Sequence, residues 1–514
     1  MSEIERLAGD VLCVGLPGDE LDFATAESLR ELRPGSIVLF ARNVTTLEAT
    51  RAFVDAACAA TGDALRPLVC VDQEGGRVAR LRFTEHGVPA MLALGATDDE
   101  ALAERVGARL GRDVAAIGGS VDFAPVLDLA LVAASTVIGT RSLGDDPVRV
   151  AVLGAAIVRG MAAVGVVAVP KHFPGHGATA IDSHVAMPTI ETPAPLVVSR
   201  DCAPFVTAFA AGARAVMTAH AIVVELDPDL PATLSPRIIT GLLRDELGFD
   251  GVCFTDCLQM DAIARTVGTA RGAVLAITAG ADSCIISHDL ALARNARDAI
   301  VAAVGDGTLA LDRLREAASR VRALRESCAL VSNSPSLVRG DLDDVPTLVA
   351  ARAIHIVRGD VRLDLARPVT VVSFEDAAGD GVAANSGARP SLSLALRHRR
   401  VRSELLRVPC DPDPAMRAML LDVLAGQSSR AFVIVARRAH LFAAQRDTIA
   451  ELLAATPHAI VISALEPFDV PSFGNARAVA CSFDDGEAAM EALADVLTSR
   501  AIATGRMPVM LAAP

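Results

Sequence analysis

Val164-Gly165-Val166-Val167-Ala168-Val169-Pro170-Lys171-His172-Phe173-Pro174-Gly175-His176-Gly177 is the stretch on which the reading of this 514-residue chain turns. The valine-rich run has the composition of a buried strand. Pro174, Gly175 and Gly177 then rule out a continuing helix. The strand delivers Lys171 and His172 to its end, and a glycine-rich loop runs on to Asp182 and His184. Lys171 is the only lysine; the other 47 of the 48 basic residues are arginine. A compact ammonium and a planar guanidinium are not interchangeable, so the amine matters at this position. Any one of the histidines 172, 176 and 184 alone reads as a core residue. A lysine, three histidines and an aspartate on one loop after a core strand read as a site.

Working outward, similar apolar runs recur with helix-like segments between them. They are Val11–Gly15, Ser36–Phe40, Leu68–Asp72, Val121–Ala124, the run into Lys171, Ala215–Thr218, Val252–Thr255 and Ser283–Ile286. Glu100–Arg112 and Arg237–Leu247 are typical of the helical spacers. Eight strands alternating with helices predict a (β/α)8 barrel of TIM type, with a doubly wound open sheet as the alternative. A barrel puts its chemistry where strands end and the next loops begin. Ionisable residues gather there: Asp72 and Arg80 after the third run, Asp128 and Arg141 after the fourth, Lys171 and His172 after the fifth, His220 after the sixth and Asp256 after the seventh.

Residues 1–330 are read as the barrel and 331–346 as a linker without periodicity. Residues 347–514 repeat the strand–helix alternation in Val369–Ser373, Phe432–Val435, Ala459–Ser463 and Ala478–Cys481, predicting a smaller α/β sandwich domain. The basic run Arg397–Arg402 within it reads as a solvated face. The net charge of −14 disfavours a nucleic-acid partner. No apolar run approaches the roughly 18 residues of a membrane span. The polar start lacks an export signal, and the ten cysteines lack CxxC spacing, so reduced thiols and a cytoplasmic location are expected. Trp and Tyr are absent, so any sugar site must work through hydrogen bonds and charge.

Two chemistries suit the residues at the barrel mouth. A metal-dependent hydrolase would ligate through His172, His176 and His184, but Pro174 keeps the first two off a shared helix face. Glycoside hydrolysis needs a nucleophile or base on one side of the anomeric carbon and an acid on the other. Asp256 is a candidate nucleophile. Asp182-Ser183-His184 is a candidate acid/base unit, since residues i and i+2 of an extended loop point the same way and the aspartate supports the imidazolium.

Lys171-His172-Phe173-Pro174-Gly175-His176-Gly177 followed by Asp182-Ser183-His184 resembles the signature of bacterial β-N-acetylglucosaminidases of glycoside hydrolase family three. Leu39–Asn43, Asp72–Arg80, Phe123–Asp128, Val137–Ser142, Met217–His220 and Phe254–Asp256 match in order, and Gly505–Val509 resembles the motif that ends two-domain members. The resemblance implies a barrel followed by an α/β sandwich and retaining, exo-acting release of β-linked N-acetylglucosamine, often from cell-wall fragments. It implies Asp256 as nucleophile, His184 as acid/base with Asp182, and Asp72, Arg80, Arg141, Lys171 and His172 as sugar-binding groups. No metal or cofactor is expected. A neutral imidazole repels an incoming anion less than a carboxylate does, so inorganic phosphate is a further expected partner. A β-glucosidase-like or phosphorolytic member of the same family, or a non-catalytic sugar-binding protein, are the alternatives. Ala178, Cys257 and Leu131–Ser135 depart from the pattern; Cys257 reads as a buried small hydrophobe.

Overall fold

The computed structural model describes residues 2–511 apart from 84–86, 180–186, 333–341, 376–389, 426 and 428. Eight parallel strands form the first unit: β1 (Leu12–Gly15), β2 (Ser36–Leu39), β3 (Leu68–Val71), β4 (Val121–Asp122), β5 (Val167–Ala168), β6 (Ala215–Met217), β7 (Val252–Cys257) and β8 (Ser283–Ile286). Their order is β5-β4-β3-β2-β1-β8-β7-β6, which is cyclic in sequence and identifies a barrel rather than an open sheet. The two outer strands are joined by the Lys171 segment itself. Phe173 bridges Thr218 in parallel, with Phe173 N–H donating to Met217 O at 2.8 Å, while Lys171 bridges Val126 on its other side.

Side chains alternate as strand geometry demands. Leu12 and Val14 of β1 pack outward under the helices, whereas Cys13 joins Val38, Cys70, Phe254 and Ile285 inside the barrel. The helix Leu311–Ser332 closes the floor with Val321, Leu324 and Cys328. Its buried Arg325 donates to Asp10 at 3.0 Å and to the Arg66 carbonyl at 3.2 Å, both just before barrel strands begin. The open end is therefore the C-terminal one.

The fifth strand is shorter than its apolar run. The helix Pro147–Ala163 extends to a cap at Val164, and Gly165 turns the chain with φ +80°, so only Val167 and Ala168 pair as a regular strand. β4 is likewise limited to Val121 and Asp122.

A second sheet follows, from β9 (His355–Arg358), β10 (Val369–Glu375), β11 (Ser403–Pro409), β12 (Ala431–Ala436), β13 (Ile460–Ser463) and β14 (Ala478–Cys481). Its order is β9-β14-β13-β12-β10-β11, parallel except for β9 against β14. Apolar packing is continuous from the barrel helices to one face of this sheet, including Val372, Phe374 and Ile434. The helix Glu487–Leu497 and its neighbours cover the other face. The tail motif straps the two units together. Gly505 N–H donates to Ile354 O, Arg506 N–H to Ala96 O at 2.8 Å and Asp145 N–H to Pro508 O at 3.2 Å. None of the ten cysteines is in a disulfide. Among the described residues no helix is long and apolar enough to cross a membrane.

Arg397, His398, Arg400 and Arg402 of the basic run are exposed, and Arg399 departs from that pattern. Arg399 is mostly buried, its Nε 2.7 Å from Asp495 Oδ1, and it also pairs with Glu491 on the helix Glu487–Leu497.

Candidate active site

Asp72 and Glu74 are two apart on an extended segment just beyond β3, so both face inward. A tight hairpin holds that segment. Gln73 Oε1 accepts from Arg80 N–H and Leu81 N–H, each at 2.9 Å, and Gln73 N–H donates to Asp122 Oδ1 at 2.9 Å. The Lys171 ammonium, delivered at the barrel seam, lies 2.7 Å from Asp72 Oδ1 and 2.6 Å from Glu74 Oε1. Arg141 clamps Glu74 with Nε to Oε2 and Nη2 to Oε1, both at 2.8 Å. Among the described residues the Lys171 ammonium is thus shared between two carboxylates.

Burial alone would neutralise such a cluster, but the partners reverse it. Desolvation pushes the Glu74 carboxyl up, and Arg141 and Lys171 together hold it well below the usual range. Desolvation likewise pushes the Lys171 ammonium down, and Asp72 and Glu74 outweigh it, so the amine stays charged. Asp122, beneath them, is fully buried, and desolvation drives its carboxyl well above the normal value despite the Gln73 N–H and the Lys171 charge, which pull it down.

The next residues after Lys171 are organised by Asp128. Its Oδ2 accepts from His172 Nδ1 at 2.6 Å, and its Oδ1 accepts from the backbone N–H of His176 at 2.6 Å. This holds the His172 ring and starts the loop in one step. The His176 ring is 3% exposed, neither of its nitrogens has a hydrogen-bond partner among the described residues, and burial pushes it down to about 4. It is a neutral imidazole offering one donor and one acceptor.

Across the cavity β7 presents Asp256, whose Oδ1 accepts from Cys257 N–H at 2.7 Å. Cys257 is not a plain buried hydrophobe. It lines the cavity and its Sγ lies 3.0 Å from Ser287 Oγ, which is 2.6 Å from His288 Nδ1; burial pushes the thiol up, so it is no thiolate. Phe40 supplies an aromatic wall, with the Arg42 and Arg80 guanidinium carbons 4.8 and 5.8 Å from its ring centre. The cavity holds about 230 Å³, below the roughly 300–1,000 Å³ of drug-sized pockets, which suits a single sugar ring.

Asp72, Arg80, Arg141, Lys171, His172 and Asp256 therefore line one cavity at the barrel mouth. Asp182 and His184 lie outside the described residues. The sequence reading did not single out Glu74; it placed Asp128 only among the ionisable residues at the strand ends and His176 only among the three loop histidines, with no role at the sugar for either. Glu74 had a legible signal, its i+2 spacing from Asp72 on an extended segment. Asp128 and His176 had none beyond their place at strand and loop ends. Among the described residues no group of His, Cys, Asp or Glu is arranged to hold a metal.

The profile of the glycosyl hydrolase family 3 N-terminal domain matches residues 10–324. A β-hexosaminidase of Pseudomonas aeruginosa is 40% identical over 293 residues, covering 56% of this chain and 86% of that protein. The solved structure of a family 3 β-N-acetylglucosaminidase from a Paenibacillus species superposes with a TM-score of 0.93 at 33% identity over 100% of both chains. A β-N-acetylhexosaminidase structure from Beutenbergia cavernae is 31% identical with a TM-score of 0.59, covering 63% of this chain and 99% of that one. With a barrel whose charged residues converge at its open end, the chain belongs to glycosyl hydrolase family 3 and is a glycosidase.

Proposed function

We propose that this glycosidase is an exo-acting, retaining β-N-acetylglucosaminidase. The observation that carries the reading is the facing of Asp256 across a sugar-sized cavity by the Lys171–Asp72–Glu74–Arg141 network. Further support is the likeness over both domains to a structure named as a β-N-acetylglucosaminidase. The sequence resemblance supplies the retaining course and cell-wall fragments as the source. The absence of disulfides agrees with a cytoplasmic setting. We take 1–330 as the barrel domain, 331–346 as the linker and 347–514 as the second domain, on the strength of the two separate sheets.

In this mechanism Lys171, Asp72, Arg80, Arg141 and His172 bind the sugar. Asp256 attacks the anomeric carbon as the glycosidic bond breaks, and His184, supported by Asp182, gives its proton to the leaving oxygen. Water then attacks the glycosyl–Asp256 ester, His184 takes its proton, and Asp256 leaves as the carboxylate. An imidazole there tolerates an anion better than a carboxylate would. Inorganic phosphate therefore competes with water and yields some sugar 1-phosphate.

The test is a panel of aryl β-glycosides assayed with and without phosphate, products resolved. Turnover confined to the N-acetylglucosaminide supports the reading. Preference for the glucoside replaces the substrate assignment, and binding without turnover replaces the enzymatic one. A rate and product set indifferent to phosphate removes the phosphorolytic branch alone.

A further inference from the structure

The turn that carries Arg141 is held from both domains. From the barrel, Arg77 Nη2 donates to the Thr136 and Val137 carbonyls at 2.8 and 2.9 Å. From the second domain, Glu466 reaches the turn just beyond the end of β13. Its Oε1 accepts from Thr140 N–H at 3.3 Å, and its Oε2 is 3.1 Å from Arg438 Nε. Glu466 is 3% exposed; burial pushes its carboxyl up, yet Arg438 and Arg77 hold it below the ordinary value. Gly139 sits directly beneath it with φ +47°. A Cβ at that position would lie 2.2 Å from Glu466 Oε1, so the carboxylate's close approach requires glycine.

We propose that Glu466, on the second domain, is a positioning residue for the sugar subsite, acting through Arg141. The route is short. Glu466 fixes the Gly139–Arg141 turn, Arg141 holds both oxygens of Glu74, and Glu74 shares Lys171 with Asp72. Loosening the turn lets the guanidinium slide along Glu74 and detunes the donors that face the ligand, without removing any group that reacts. The second domain contributes no acid or base in this scheme. It contributes the geometry of one barrel loop. The inference rests on the proposed role of Arg141 in binding the sugar.

The experiment uses the full chain and compares Glu466→Ala, Glu466→Asp and Glu466→Gln, alone and combined with Arg141→Lys. kcat/KM on an aryl N-acetylglucosaminide and the melting temperature are read together. Glu466→Ala should lower kcat/KM roughly tenfold, within the range of coupling between groups in contact. Glu466→Gln keeps an acceptor for Thr140 N–H and should recover most of it. In the Arg141→Lys background the Glu466 substitutions should add less than about twofold, since the group they act through is already compromised. Should Glu466→Ala fail to fold, Glu466→Asp decides, because it keeps the ion pair with Arg438 but withdraws from the turn. Wild-type kinetics in a folded Glu466→Asp, or a full loss repeated on top of Arg141→Lys, would overturn the proposal. Arg141→Lys alone with wild-type kinetics would instead overturn the assignment of Arg141 to the sugar.

Discussion

The barrel and the second sheet place their polar residues alike and use them differently. Both are built mainly of parallel strands, and in both the charged side chains follow the strand C-termini, where backbone direction and short loops favour them. In the barrel the strand ends converge on a ring. Asp72, Glu74, Lys171, His172 and Asp256 reach one cavity, where the Lys171 ammonium is shared between Asp72 and Glu74. In the second sheet the ends of β12, β13 and β14 lie side by side against the barrel. Arg437 pairs with Asp485 at 2.8 Å, Glu466 meets Arg438 and the Arg141 turn, and Asp484 Oδ1 accepts from Ala90 N–H of the barrel at 3.0 Å. Closure of a sheet makes a site out of the same residue types that an open sheet uses for joining domains.

If that distinction is right, the largest effect belongs to Asp256. Asp256→Ala should lower turnover by at least about 10⁴-fold with an unchanged melt, as removal of a nucleophile does. A 2-fluoro glycoside should label this residue covalently; mass spectrometry locating the label on any other carboxylate, such as Asp128, would contradict the assignment.

Lys171→Arg sharpens the barrel half of the contrast. Glu74 and Asp72 leave room for an ammonium between them, and a guanidinium must displace one of the two. A misplacement of about 1 Å costs about 10²-fold in rate, so kcat/KM should fall by that order. Near-normal kinetics would show that the single lysine has no bearing on the chemistry.

The smallest effect on activity is expected in the second sheet. Asp469 is fully buried after β13, with Ser463 Oγ donating to it at 2.5 Å, and burial pushes its carboxyl up to about 7. The unfolded carboxyl titrates near about 4. Between these values the native state holds a proton that the unfolded chain has released, so stability from this group falls as pH rises and is lost above about 7. Asp469→Asn should therefore raise the melting temperature at about pH 8, relative to about pH 5, by a few degrees over wild type. Turnover of an activated aryl glycoside should not change. A variant with a normal melt and no chemistry would place a reacting group in the second domain and erase the contrast.

Much of the site was legible because strand ends are local. Lys171 and His172 follow an apolar run closed by Pro174, and Asp72 and Asp256 follow runs of the same kind. Residues that act through others were harder to see. Asp128 holds His172 across 44 positions, and Glu74 meets Arg141 across 67. Arg399 has the composition of a surface run and is buried by two acids almost a hundred positions away.

The sequence by itself determined the eight-strand alternation, the second α/β unit and which side chains stand at strand ends. Apolar period and turn residues act over a few neighbours, and those are visible in the chain. The tertiary structure alone decided that the Lys171–Phe173 segment closes the barrel, that Glu74 rather than a solvent ion balances Lys171 and Arg141, and that Glu466 reaches the Gly139–Arg141 turn. Each depends on distant segments meeting within hydrogen-bond reach among buried side chains. There the charge state of every group is set by its partners and not by its own chemistry.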